Sequence, residues 1–370
     1  MTRVISADCH INEPPNVFDR VPAEYRDRVP RMMRGEDGGD GWSFDGKPPK
    51  RTFGIEAMAG RARSDFRVSG LRFDEILPGN WDGAAHVEDM ARDGIDVSVV
   101  YPANAIFVYL EPDRGLALAC MRSYNDWVLD DFQGAAPDRL VGLPMLPVDD
   151  GMDVSVAELR RVVGKGARGC FVPGIPRRPY NDPYYEPLWS AASDAGVPLT
   201  FHRTFGGAPP DQDWDELVEQ NVSVPGIVTR FFSAVRPLTY MVFNGVFDRH
   251  PGLTVVAGEV NCGWIPFWSR TMDHTLETEG AWAGVSLARK PSEYVGDNVA
   301  VTVLDDDVGF ALMRAGYPRL ADACMWSTDY PHSVTLWPNS RDHIARLTAG
   351  LSEADTAKVL SGNAARVYRI

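Results

Sequence analysis

Residues 94–102, GIDVSVVYP, and 253–258, LTVVAG, decide the fold class. Both runs are rich in β-branched residues, almost continuously apolar, too short for a helix and bounded by Gly or Pro, so each reads as a strand. A strand that lacks an alternating polar face is one buried on both sides, as in a parallel sheet covered by helices. Working outward, six more runs of this kind fall at 3–7, 140–144, 167–172, 197–201, 298–303 and 324–328. Most are followed by a stretch with helical apolar spacing and then by a Gly or Pro stop. Eight such units predict a closed (β/α)8 barrel rather than an open doubly wound sheet.

The chain has 370 residues, against about 250 for a typical barrel. The surplus is concentrated in an insertion at about 22–82, rich in Gly, Arg and Asp, and in a long connection at about 203–224 after the fifth strand. Loops of that length on a barrel are expected to cover or flank an active site. With no internal repeat and no low-complexity linker, residues 1–370 are expected to form a single domain.

Lys and Arg number 37 against 51 Asp and Glu, a net charge of −14. That balance argues against nucleic acid or anionic lipid as a partner, since both are held by clustered cations. Residues 1–15 contain no apolar stretch of signal-peptide length, and uncharged runs such as 237–247 are too short to span a bilayer, so a cytoplasmic location is expected. The five cysteines (9, 120, 170, 262 and 324) are widely spaced and form no CxxC pair. Neither a disulfide framework nor a structural zinc site is indicated.

In a (β/α)8 barrel the chemistry sits at the C-terminal ends of the strands. The first strand runs into Asp8-Cys9-His10, where a period of two sends Asp8 and His10 to one face and Cys9 to the other. The fifth ends in LTFH with His202, the sixth in VVAGE with Glu259, and the eighth in MWSTDYPH with Asp329 and His332. A single Asp there is commonly a helix N-cap, and a single His a hydrogen-bonded structural residue. Imidazoles and carboxylates from four strand ends meeting at one mouth are different, because burying them together is costly unless a cation compensates. A divalent metal held by Asp8, His10, His202, Glu259 and Asp329 is therefore expected.

The segments DCHINEP (8–14), FHRT (201–204), GEVNCGWIPFWSRTMDH (258–274) and TDYPHSVTLWPNS (328–340) together resemble the amidohydrolase-related family that includes aminocarboxymuconate semialdehyde decarboxylase and the resorcylate decarboxylases. The resemblance spans almost the whole chain. It implies a distorted barrel, one divalent metal, hydrolysis or nonoxidative decarboxylation of carboxylate-bearing substrates, and often a homodimer. By position it implies Asp8, His10, His202 and Asp329 as ligands. Two departures stand out. Many members open with His-x-His where this chain has Asp8-Cys9-His10, and decarboxylating members commonly carry a His after the sixth strand where this chain has Glu259.

On these residues the leading expectation is a metal-dependent hydrolase of a small or medium organic acid, ester, amide or thioester. Water bound to Zn or Mn loses a proton near neutral pH. Asp329 is expected as general base, Glu259 as further ligand or proton shuttle, and His332 as acid or substrate anchor. Arg203, together with Arg230, is expected to pair with a substrate carboxylate, and Trp264 to line an apolar pocket. Glu13 is expected to support the site as a hydrogen-bond acceptor.

Three alternatives remain open at this level. One is nonoxidative decarboxylation of an aromatic or unsaturated acid, placed second because of Glu259. Another is a non-haem iron oxygenase with one or two Fe, which would also need an electron-donor protein. The last is a non-catalytic binding module. No dinucleotide, P-loop, serine-hydrolase or zincin motif competes.

Overall fold

In a computed structural model of the chain, residues 3–44, 46–49, 51–202 and 223–370 are described. The strands among them are β1 (Ile5–His10), β2 (Arg31–Arg34), β3 (Asp40–Ser43), β4 (Val97–Tyr101), β5 (Leu140–Gly142), β6 (Cys170–Phe171), β7 (Leu199–His202), β8 (Val255–Gly258), β9 (Val299–Val303) and β10 (Cys324–Trp326). All except β2 and β3 coincide with the eight expected runs.

Those eight pair in parallel as two ladders, β1-β4-β5 and β6-β7-β8-β9-β10. Isolated backbone bonds join the ladders at both seams. The Leu146 N–H donates to Phe171 O (3.0 Å) and the Phe171 N–H to Pro144 O (2.7 Å), while the His10 N–H donates to Tyr330 O (2.6 Å) and the Asp329 N–H to Asp8 O (3.1 Å). The result is a distorted (β/α)8 barrel, irregular at the β5–β6 and β10–β1 seams. Every residue of β1, β4 and β9 is buried, which accounts for the near-continuous apolar sequences of β4 and β9.

Helices between the strands begin and end on residues with a local reason to be there. Asp82 caps the helix Gly83–Asp93 by accepting from the Ala85 N–H, and Gly94 ends it at φ 73°, a left-handed conformation that costs glycine nothing. Asp306 caps Asp307–Arg314 and also accepts from the N–H groups of Cys262 and Gly263, tying two loops above the barrel together. The buried apolar side chains form one cluster, which includes Trp42 and Phe53 of the insertion as well as Trp189 and Trp326.

The insertion contains regular structure of its own. β2 and β3 form an antiparallel hairpin, followed by short 3-10 turns such as Ile55–Ala57 and Pro78–Asn80. It is fastened to the strand-end side of the barrel by backbone bonds from Ala59 N–H to Pro331 O and from Ser333 N–H to Ile55 O. The Asn12 amide adds bonds to Glu56 O and Asn80 Oδ1. Of the long connection at 203–224, only Ser223 and Val224 lie within the described residues; Ser223 caps the helix Val224–Arg230.

Candidate metal centre and active site

The first strand supplies its two site residues through an irregularity. Between Ser6 and Cys9, β1 advances three residues while β4 advances two, from Ser98 to Val100, so a bulge falls at Ala7–Asp8. Asp8 and His10 nevertheless share one face, as the period of two requires. His10 Nε2 lies 3.4 Å from Asp8 Oδ1, whereas Cys9 Sγ points to the hydroxyls of Ser6, Ser98 and Thr328. Burial pushes the Cys9 thiol up to about 11, against those hydroxyl contacts, so it is an inert packing group rather than a nucleophile.

His202 closes β7 and places Nε2 3.8 Å from Asp8 Oδ2 and 3.4 Å from Glu259 Oε2. Asp329, beyond β10, has Oδ1 3.3 Å from His10 Nε2 and 3.1 Å from His332 Nδ1. The His10 and His332 rings stack at 3.9 Å, and the His10 and His202 rings meet edge-on at 4.8 Å. Glu259 and Asp329 both have left-handed backbone, at φ 54° and 52°. Non-glycine residues tolerate that region at a cost, and such outliers gather at functional sites.

Two small residues make room and hold the carboxylates. A Cβ on Gly258 would stand 2.9 Å from His202 Cδ2 and 3.1 Å from Asp8 Oδ2, so the last residue of β8 has to be glycine for those side chains to approach. Thr302, next to the C-terminal end of β9, donates its hydroxyl to Asp8 Oδ2 (2.7 Å) and accepts the Glu259 N–H (2.6 Å). Sequence reasoning missed Thr302, because a threonine inside a strand carries no signal beyond β propensity.

Several polar atoms in this cluster are buried with no hydrogen-bond partner among the described residues: Asp8 Oδ1, both His10 ring nitrogens and both Asp329 oxygens. The donor set fits a divalent cation. Asp8, His10 and His202 offer ligand atoms within 4.8 Å of one another, as do His10, Asp329 and His332. The electrostatics agree. Burial alone would lower the His10 pKa, yet Asp329 and Asp8 raise it to about 10. Burial opposes ionisation of Asp329, but its imidazole neighbours His332 and His10 hold it well below the usual carboxylate range. Burial, reinforced by His10, lowers His332 despite Asp329. A pocket that draws positive charge this strongly is suited to an M2+ ion with nitrogen and oxygen ligands.

The cluster opens into a cavity of about 1360 Å³, whose lining includes His10, His202, Glu259, Asp329 and His332. Arg230 and Phe231 are also on its wall. Arg203 lies outside the described residues. Trp264 is not among the lining residues: its indole donates to Val260 O (3.0 Å) and packs against Trp268, so the expected pocket role goes instead to Trp42, Phe44, Phe107 and Phe171. Glu13 accepts from the N–H groups of Ala103 and Asn104, thereby fixing the cavity-lining turn after β4. His250 is paired with Glu186 and His274 is exposed, in keeping with surface roles. His86 is buried and bonded to Gly79 O. All five cysteines are buried and free.

Residues 7–370 match the family model described as Amidohydrolase. The chain belongs to the amidohydrolase family. Among curated amidohydrolase relatives, gamma-resorcylate decarboxylase of Rhodococcus jostii is 30% identical over 292 residues, covering 74% of this chain and 83% of that protein. The 2-amino-3-carboxymuconate-6-semialdehyde decarboxylase of Dictyostelium discoideum is 24% identical, covering 82% and 80%. Of solved structures, an amidohydrolase from Mycobacterium avium subsp. paratuberculosis K-10 superposes with a TM-score of 0.78 at 19% identity, covering 100% of this chain and 98% of that one. A dihydroxybenzoic acid decarboxylase from Polaromonas sp. JS666, solved with manganese and 2-nitroresorcinol, gives 0.63 at 20% identity, covering 100% and 97%. These likenesses establish the barrel as the amidohydrolase one. Among the described residues, no helix is long and apolar enough to cross a membrane.

Proposed function

We propose that this amidohydrolase is a metal-dependent, nonoxidative decarboxylase of a hydroxyaromatic carboxylic acid. The observation that carries the proposal is the convergence of Asp8, His10, His202, Glu259 and Asp329 at the floor of an aromatic-walled cavity. The decarboxylase names of its relatives supply the reaction class. They reverse the order expected from sequence, in which Glu259 had put hydrolysis first. They also give no support to the iron oxygenase, so neither a second metal nor an electron-donor partner is carried forward.

Asp8, His10, His202 and Asp329 would hold one divalent ion, with Glu259 beside His202. Such an ion would supply positive charge that offsets the negative charge of the substrate. The remaining chemistry belongs to the chain. Asp329 accepts the phenol proton at a carboxylate oxygen, with His332 alongside at 3.1 Å, and returns that proton to the ring carbon bearing the carboxylate. The carbon–carbon bond then breaks, its electron pair restores the aromatic ring, and CO2 leaves. Arg230 and Phe171, both on the cavity wall, orient the ring and exclude water.

Hydrolysis by metal-activated water remains the second reading, favoured by one feature: Glu259 is a carboxylate at the position where an imidazole was expected for decarboxylation. Protein loaded with Mn or Zn and given hydroxybenzoic acids with labelled carboxyl groups separates the two. Labelled CO2 equimolar with the hydroxyarene, abolished by a chelator, supports decarboxylation. Turnover confined to esters or amides assigns hydrolysis.

A further inference from the structure

We infer that the substrate is an extended aromatic acid, in which a hydroxyaryl carboxylate head carries a long apolar tail that lies under the 22–82 insertion. The inference rests on the decarboxylase reading for the head and adds the tail. Pockets that bury a drug-sized ligand measure about 300–1000 Å³, and this one measures about 1360 Å³. A single-ring acid seated at Asp8 and Asp329 leaves most of that space to water.

Away from the ligand cluster the lining is mixed, and two segments that neither hold metal nor belong to the barrel strands supply a run of apolar side chains. Met33, Trp42 and Phe44 come from the β2–β3 hairpin and its exit, and Ile106, Phe107 and Leu110 from the turn after β4. The Phe44 and Phe107 rings meet at 5.6 Å, closing the two segments into a continuous wall. Met33 is left 37% exposed on the lining. Hydrating such a surface is unfavourable, and an apolar ligand removes that cost. Charged side chains also line the cavity, Arg31 and Arg63 among them, while Arg28 is paired with Asp113 at 2.8 Å and Arg51 with Glu56 at 2.6 Å; the apolar tail is assigned to the stretch walled by Phe44 and Phe107.

The test is the affinity of the manganese-loaded protein, measured by calorimetry, for 2-hydroxybenzoate and homologues carrying a ring alkyl chain lengthened from methyl to octyl. The expected result is a Kd that falls by about threefold to fourfold per methylene while the chain remains in the cavity. Phe44→Ala and Phe107→Ala should each weaken the octyl homologue by about tenfold or more and leave 2-hydroxybenzoate within about twofold. A Kd that is flat or rises with chain length, an absence of binding across the series, or wall variants that affect head and tail alike would overturn the inference. Turnover of the same compounds reports on the other proposal. A steep affinity series without CO2 release keeps the extended substrate and sinks decarboxylation; CO2 from 2-hydroxybenzoate with a flat series does the reverse.

Discussion

The main-chain N–H of Asp329 donates to the carbonyl oxygen of Asp8 at 3.1 Å, so these two carboxylates are positioned by the backbone that closes the barrel. Asp329 makes this bond from a left-handed conformation, and Asp8 receives it immediately beside the β1 bulge. The seam at which the β-ladder is interrupted is thus also the seam that aims both acids at His10. Irregularity here sets the geometry of the carboxylate–imidazole cluster, held in place by the rest of the fold.

Removal of an imidazole ligand should empty the site. His10→Ala and His202→Ala are each expected to weaken Mn or Zn binding by more than about a hundredfold, since even outer hydrogen-bond partners of metal ligands are worth 10–100-fold. His274→Ala, on an exposed helix face, should bind metal like the parent. Elemental analysis after dialysis against a calibrated chelator reads the difference; full retention in both strand-end variants would refute the ligand assignment.

Gly258 and Thr302 should matter without touching the ion. Gly258→Ala drives a methyl into the space of His202 and Asp8, and Thr302→Val strips the bridge between Asp8 Oδ2 and the Glu259 N–H. Each is expected to lower metal affinity by about 10–100-fold while the far-ultraviolet circular dichroism is unchanged. Thr302→Val should also cost about 1–3 kcal/mol in the unfolding of metal-free protein, because a buried N–H and a carboxylate oxygen lose their partner. Parent-like metal affinity in both variants would show that the Asp8–His202 geometry is not limiting.

Glu259→Gln separates two roles for a residue whose carboxylate lies 3.4 Å from His202 Nε2. If Glu259 helps hold the ion, metal content should drop with the loss of its charge. If it acts on protons, metal content should stay while kcat falls by about 10²–10⁴. Unchanged metal content and unchanged turnover would reduce Glu259 to a structural residue.

His86 gives a pH dependence independent of the metal. Burial against Phe132 and Tyr330 lowers its pKa to about 4, despite the bond to Gly79 O. The unfolded chain therefore binds a proton near pH 6.5 that the folded chain refuses, so stability falls as pH drops from about 6.5 to 4, by about 1.4 kcal/mol per unit. Below about 4 this contribution levels off. Metal-free His86→Gln should lose that component, visible as a shallower fall of unfolding free energy between pH 7 and 5. Equal slopes in parent and variant would contradict it.

The sequence exposed the barrel because its strands are covered on both faces, and runs such as 253–258 therefore carry no polar interruptions. It exposed the candidate ligand groups because strand ends such as Asp8-Cys9-His10 and LTFH place metal-binding types where burial makes them costly. Other features are set by tertiary contact. Thr302 gains its role from the side chain of Asp8, almost three hundred positions away. Trp264 turns to Trp268 instead of the cavity, and which face of Gly83–Asp93 is buried, with His86 on it, depends on Phe132 and Tyr330. The β2–β3 hairpin did have a local signal, GEDGG at 35–39 with Gly38 at φ 82°, obscured by the polar residues around it.

Turnover in deuterium oxide under argon tests the central claim most directly. With manganese-loaded protein and a hydroxybenzoic acid as substrate, CO2 should form one-for-one with the hydroxyarene, without oxygen. The product should carry solvent-derived deuterium at the carbon that lost the carboxylate, and Asp329→Asn should suppress the reaction by about 10²–10⁴. Product that appears only by addition of water to an ester or amide, or only when oxygen is admitted, would contradict the account.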